Sequence, residues 1–409
     1  MSSRMKNILL SKQAPLIGVL PAYANTLTAL IPEVYTAMDI VSRELVGVIP
    51  SAMRAPGVER AAVGQQVNYP IAPEQQSYDI VPSMTVPEPP DNGFTTGTMA
   101  ITKSKGVPFG ITGEEQRALG TGGPGNASVQ AMWIAQSMRT LVNEMEQDAY
   151  AAAAAGASRA YGTPGTAPFA SDDITDIAQL RKILNDNGAP TTGRSLILES
   201  TASANLITVK NLTRVNEAGD SMTLRDGELT RLFGLSIKET GASVEHVSGT
   251  AAGATTNAAG YAVGATTITL ASAGTGSFVA GDIITFAGDN NKYRVEVGDA
   301  SSADGGTITI AEPGLREAIP AAATAVTVAD DYNAAGVAFS MDALHIAMRP
   351  PAMPEGGDSA DDSRIFYDPR SGIPFELLVY RGYKKVRWEI GMAWGVKLNK
   401  PEHAALLLG

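Results

Sequence analysis

The chain contains no cysteine. Disulfides, thiolate metal sites and cysteine nucleophiles are excluded, so stability has to come from burial, sheet pairing or subunit contacts. Histidine is scarce: His246, His345 and His403 are the whole supply, far apart and without a metal spacing such as HxxxH. Aromatic residues make up 6% and charged residues 18% of the 409 positions, the latter below the usual ~25%. No run approaches the ~18 apolar residues of a membrane span. Positive charge is short as well. The formal net charge of −11 argues against binding nucleic acid through a basic surface, because neutralising phosphates needs clustered Lys and Arg. Arg381, Lys384, Lys385 and Arg387 are the only local basic group. They read first as a charged strand edge, with phosphate or an acidic neighbouring subunit as alternative partners. Near the start, Ala22-Tyr23-Ala24 has the form of a signal-cleavage site. Ser11, Lys12, Gln13 and Pro15 break the apolar region before it, so a secretory signal is not expected.

What is present points to packed backbones. Hydrophobic residues reach 44%, and the length allows two or three domains of ~100–200 residues. The most telling stretch is 126–155, which has neither proline nor glycine. Thirty residues or so at ~1.5 Å each predict a helical rod of about 45 Å. Ile134, Met138, Leu141, Met145, Ala149 and Ala152 draw one apolar stripe along it, while Gln136, Arg139, Asn143, Glu146 and Gln147 are placed off the stripe. Asn126 or Ser128 is suited to cap its start and Gly156 to stop it. A structural strut and an ordinary core helix fit this pattern equally, and neither suggests catalysis.

Around that rod the chain divides by composition. Residues 26–49 predict an amphipathic helix with Leu27, Leu30, Val34, Met38, Val41, Leu45 and Val48 on its apolar face. Residues 50–118 are punctuated by proline, with short extended runs at 66–69, 78–81 and 99–102 and a turn signal at Asp91-Asn92-Gly93, which predicts a long two-stranded excursion. A second helix is expected over 173–187, capped by Asp172 or Asp173, with Ile177, Leu180 and Leu184 buried and Gly188 ending it. A buried strand follows at 195–198, a short helix at 202–209, and a turn, helix and strand over 224–237. Residues 248–260 read as a low-complexity linker. Beyond it, strands at 266–270, 283–286, 293–297, 307–310 and 325–328, separated by Gly/Asp/Asn turns, predict an inserted all-β barrel or sandwich. The earlier style returns at Gly336, with core segments at 337–339 and 343–348, an acidic loop over 350–363, and strands at 374–380 and 386–398.

Chemistry-bearing patterns are weak. Ser195, Ser200 and Ser340 lack a GxSxG setting. The glycines of 120–125 precede a helix but lack the GK[ST] of a phosphate loop. Asp172, Asp173 and Asp176 suit helix capping, Asp358, Asp361 and Asp362 a solvated loop, and neither group has EF-hand spacing. No catalytic, cofactor-binding or metal-binding residue is expected.

The order of parts resembles the major capsid proteins of tailed bacteriophages, particularly short-tailed phage coat proteins carrying an inserted β domain. Three local stretches carry the likeness with it. These are 40–47 followed by 63–70, Arg225-Asp226-Gly227 through Arg231-Leu232-Phe233-Gly234, and the return from Val337-Ala338-Phe339. The resemblance implies an α+β capsid fold divided into an N-terminal arm (1–53), an extended β-hairpin loop (54–118) and a peripheral domain (119–200) with the spine helix 126–155. A first axial part (201–247), an inserted β-barrel domain (248–333) and a return through axial and peripheral domains (334–409) complete it. It implies a structural, non-enzymatic protein that forms hexamers and pentamers of an icosahedral shell around double-stranded phage DNA. Implied partners are copies of itself, scaffolding and portal proteins, a decoration protein, and DNA enclosed without sequence-specific contacts. No membrane is involved, and the place is the virion, assembled in the host cytoplasm. Some relatives cross-link through a lysine of the extended loop, where Lys103 and Lys105 stand here, but the lineage with an inserted domain resembles shells that do not. Two other readings are a receptor- or glycan-binding protein acting through the β module, and an encapsulin-like compartment holding enzyme cargo.

Overall fold

The computed structural model describes residues 46–57, 59–71, 79–80, 82, 95–120, 126–170, 172–213, 231–367 and 372–409. The helix expected over 26–49 lies outside them except for its end, and there the expectation fails: Ile49–Ser51 is a single 3-10 turn. The amides of Gly47, Val48 and Ile49 are already taken by the Glu146 carboxylate, and Pro50 has no amide to give.

Five helices are described: α1 (Gly113–Gly120), α2 (Asn126–Gly156), α3 (Thr175–Asp186), α4 (Ser200–Thr208) and α5 (Lys210–Thr213). The rod α2 has 31 residues, about 46 Å at 1.5 Å per residue. Ile134, Met138, Leu141, Met145 and Ala149 are buried as their spacing requires. At the C-terminal end the buried stripe runs through Tyr150 and Ala153, and Ala152 is only half-buried. Glu146, expected outside, is 3% exposed. The helix leans on two sheets at once, against 385–398 and 103–112 of the first and 332–340 and 404–408 of the second. α3 ends as its sequence demands, with Gly188 at φ +74° and the Ala189 amide returning to the Leu184 carbonyl.

The first sheet is built on the long strand Lys385–Leu398. Pro374–Gly382 and Leu344–Arg349 pair end to end along one edge of it, and Lys103–Thr112 pairs along the other through ten residues. Asp362–Tyr367 and, in parallel, Met53–Pro56 complete this sheet. The strand Lys103–Thr112 was hidden in the sequence by Gly106, Pro108 and Gly110. An edge strand tolerates such residues, since a proline can face away from the ladder. Its Phe109 stacks on Trp388 at 5.7 Å and tilts against Trp133 of α2 at 5.9 Å, which ties helix to sheet. The expected two-stranded excursion is present at its base, where Gln66–Ile71 pairs with Thr95–Ala100. The turn signal 91–93 lies outside the described residues.

The second sheet places Tyr332–Ser340 between Arg194–Glu199 and Ala404–Leu408, with Leu235–Thr240 and Arg159–Tyr161 on the flanks. Ile177, Leu180, Leu184, Leu196, Leu198 and Leu206 form the core between this sheet, α3 and α4.

Between Glu245–His246 and Tyr332–Ser340 the chain adds a group of strands that continues the second sheet through Lys292–Val297. Strands Thr267–Thr269, Thr307–Ile310, Lys292–Val297, Ile283–Phe286 and Val326–Val328 pair in that order. The stretch read as a linker links these strands around. The Val326 and Ala271 amides donate to the Ala254 and Thr255 carbonyls, and the Thr256 and Asn257 amides donate to Thr324 and Thr269. Small residues in 254–257 hide these isolated bridges because their alternation carries no hydropathy contrast. Inside lies a core of its own, including Ile268, Phe278, Ile284, Phe286, Val295, Ile308 and Val326. Lys292 and Tyr293 pair with Ala160 and Arg159 of the second sheet.

Candidate functional site

The histidines and several of the carboxylates flagged in the sequence are fixed into joints. Among the described residues no three His, Asp or Glu side chains form a metal-binding group. His246 lies 2.9 Å from the fully buried Asp282, whose oxygens also accept the Gly249 and Val279 amides. His345 and His403, far apart in sequence, converge on Asp342. His345 Nε2 is 3.1 Å from its carbonyl, and His403 Nδ1 and Lys400 Nζ are 3.2 and 3.1 Å from its carboxylate. Burial opposes ionisation of Asp342, but Ser340, Lys400 and His403 hold its carboxyl below the usual range. Burial lowers the pKa of His345, whose ring packs 5.0 Å from Tyr69 at the base of the excursion. Asp173 accepts the Thr175 hydroxyl and amide, Asp172 pairs with Lys210, and Asp361 pairs with Arg381 at 3.6 Å.

Three further joints escaped the sequence reading. Glu146 of α2 accepts hydrogen bonds from the amides of Gly47 (2.8 Å), Val48 (2.7 Å) and Ile49 (3.1 Å) and from the Thr240 hydroxyl (2.9 Å). One carboxylate thus fastens the N-terminal segment, the rod and a strand of the second sheet. Burial pushes its pKa up, against the pull of those donors. Glu376, 1% exposed, is gripped through both oxygens by Arg60, at 2.5 and 2.9 Å. Such a forked pair is stronger than a neutral hydrogen bond and also sets direction. Lys103 sits 2.8 Å from Asp148 and 3.2 Å from Glu144 of α2; Lys105 pairs with Glu144; and Trp394 Nε1 donates to Asp148 at 2.9 Å. Burial works against the Glu144 charge, but the two lysines hold its carboxyl below the usual range. Both lysines named for cross-linking are therefore engaged within their own chain. No spacing rule finds these joints, because each partner lies 39 to 316 residues away.

The base of the excursion has one fixed face and one free. Val67, Tyr69, Gly97 and Met99 face the first sheet, where Met99 and Ile101 pack with Ala347 and Ala393. Gln66, Asn68, Thr96 and Thr98 are exposed. Gly395 permits this seating: a Cβ there would lie 2.0 Å from the Ala100 carbonyl oxygen. Two cavities stand beside the inserted strands. One of about 500 Å³ is bounded by Arg159, Lys182, Lys292, Asp176 and Glu317, and one of about 460 Å³ by Glu199, Glu245, His246 and Asp331. The first mixes charges of either sign, whereas the second gathers carboxylates around a single histidine.

No protein-family model and no curated protein matches the chain. Among solved structures it is similar to one titled Mycobacterium phage Che8, at 15% identity over 86% of this chain and 88% of that one, TM-score 0.40. It is similar to the capsid of cyanophage P-SCSP1u at 13% identity over 89% of each chain, TM-score 0.47. A virus-like particle from Pyrococcus furiosus shares 8% identity over 92% of this chain and 98% of that one, TM-score 0.41. No described helix is long and apolar enough to cross a membrane.

Proposed function

We propose that this chain is the structural subunit of an icosahedral shell, assembling with copies of itself as hexamers and pentamers around double-stranded phage DNA. The observation that carries this reading is the use made of α2. A 31-residue rod has two separate sheets laid along it, and charged side chains lock each junction. Such a strut suits a subunit that must keep its shape under load. The charged residues serve the same end, since Glu146, Glu376, Asp148 and Asp342 each bind together segments remote in sequence. At the base of the excursion one face is seated and one is free, which suits a contact with a neighbouring copy.

On this reading residues 1–53 are the arm, 54–118 the extended loop and 119–200 the peripheral part. Residues 201–247 and 334–409 supply the axial part and the return, and 248–333 are the inserted barrel. Scaffolding and portal proteins and a decoration protein are its partners. The DNA is enclosed without sequence-specific contact, the protein is not an enzyme, and its place is the virion, assembled in the host cytoplasm. A net charge of −11 suits that role, since a strongly basic lining would hold the packaged polymer tightly. The test is negative-stain microscopy of the expressed chain, alone and with its scaffolding protein. Closed particles tens of nanometres across are expected; soluble monomer under both conditions sinks the reading.

A further inference from the structure

The tip of the hairpin formed by Pro374–Gly382 and Lys385–Leu398 is built in a way its fold does not require. Gly382 faces Lys385 in the ladder, so Tyr383 and Lys384 alone make the turn. Two-residue turns favour glycine or asparagine where φ is positive. Lys384 holds φ +53° and keeps its side chain there all the same. Tyr383 beside it is 87% exposed, with the Lys384 ammonium 5.5 Å from its ring centre. An outlier of this kind, carrying a cation and a large rigid aromatic into solvent, marks a place where side chains are retained for contact.

Charge at the tip is divided in two. Of its four basic residues, Arg381 is engaged by Asp361 and Arg387 by Glu389 at 2.6 Å. Lys384 and Lys385 have no carboxylate partner among the described residues. Immediately alongside, the Gly113 amide donates to the Lys384 carbonyl at 3.0 Å, which plants the first turn of α1 against the turn. That first turn carries Glu114 and Glu115. Glu115 is occupied by the Thr112 amide and hydroxyl, whereas Glu114 is exposed and pairs with no cation among the described residues. Each copy therefore presents a cation and an anion side by side on one protruding knob. A knob of that kind can complement itself: the basic half of one copy meets the acidic half of the next, and the succession makes a ring where the rotation between copies closes.

We propose that Tyr383 and Lys384 of one copy grip the first turn of α1 at Glu114 in the next copy, as a repeated contact of the shell. This rests on the shell reading above and adds the contacting residues. The experiment compares assembly of the full chain with its scaffolding protein, by light scattering and particle counts in negative stain, for wild type, Lys384→Glu, Glu114→Lys and the double exchange. Each single reversal is expected to cut particle yield about tenfold, and the double exchange to restore it to within about twofold, the pattern of a direct charge pair in a double-mutant cycle. Lys384→Gly adds a readout that a purely structural turn would not move. It relieves the left-handed backbone, so it should raise the unfolding temperature of the subunit while lowering particle yield. Wild-type particles together with normal yields from the single reversals, the result expected if the knob meets DNA or another protein instead, overturn the contact and leave the shell reading standing. Single losses without recovery in the double exchange also overturn it. Absence of wild-type particles overturns both.

Discussion

One buried and one half-buried ionisable side chain make the most specific claims at the residue scale. Removing the Glu146 carboxylate by Glu146→Ala leaves three buried amides and the Thr240 hydroxyl without an acceptor. At about 1–3 kcal/mol for each unsatisfied group, a loss of at least ~3 kcal/mol is expected in urea unfolding of the subunit. Because burial raises its pKa, Glu146 gives up its proton at a higher pH in the folded chain than in the unfolded one. Its contribution is greatest below the unfolded value of ~4.3 and declines as pH rises through the folded one. His345 acts at the opposite end. Burial lowers its pKa, so the unfolded chain takes the proton first, and stability is lost as pH falls from about 6.5 toward the folded value. His345→Gln is expected to flatten the dependence of the urea midpoint between pH 7 and 5.5. Nothing in the local sequence announced Glu146: helical spacing says only that it leaves the apolar stripe, and the amides that bury it come from 97 to 99 residues earlier.

Elements with strong local periodicity were legible, and those defined by a partner were not. The rod α2, helix α3 with Gly188, and the strands at 283–286 and 307–310 follow from spacing and turn residues. The strand Lys103–Thr112 and the segment 254–257 do not, since glycine, proline, alanine and threonine give no contrast until a neighbouring strand supplies the register. Close approach is the element-scale counterpart of burial. Gly395→Ala would drive a methyl group against the Ala100 carbonyl oxygen and lift the base of the excursion from its sheet. A cost of about 1–3 kcal/mol in thermal unfolding is expected, as for other overpacked sites, with a larger fall in particle yield if the excursion bridges copies. Gly395 is the last residue a sequence reading would single out, because it sits within an alternating strand where any small residue looks adequate.

For the whole molecule, the stretch between His246 and Tyr332 has hydrogen bonds that link its strands around and a core cluster of its own. We expect residues 248–333 expressed alone to give dispersed amide resonances and a cooperative thermal transition; an unfolded fragment would mean that this stretch depends on Arg159–Tyr161 for its order. Its two ends make the final point. Glu245 and His246 pair directly with Asn333 and Tyr332, so the chain leaves the main body and rejoins it at adjacent positions on one ladder. Whatever is spliced in there, whether longer, shorter or foreign, imposes no span on the host sheet. On the shell reading, a particle can keep its geometry while this stretch is exchanged, which makes this doorway the natural place to graft a display peptide.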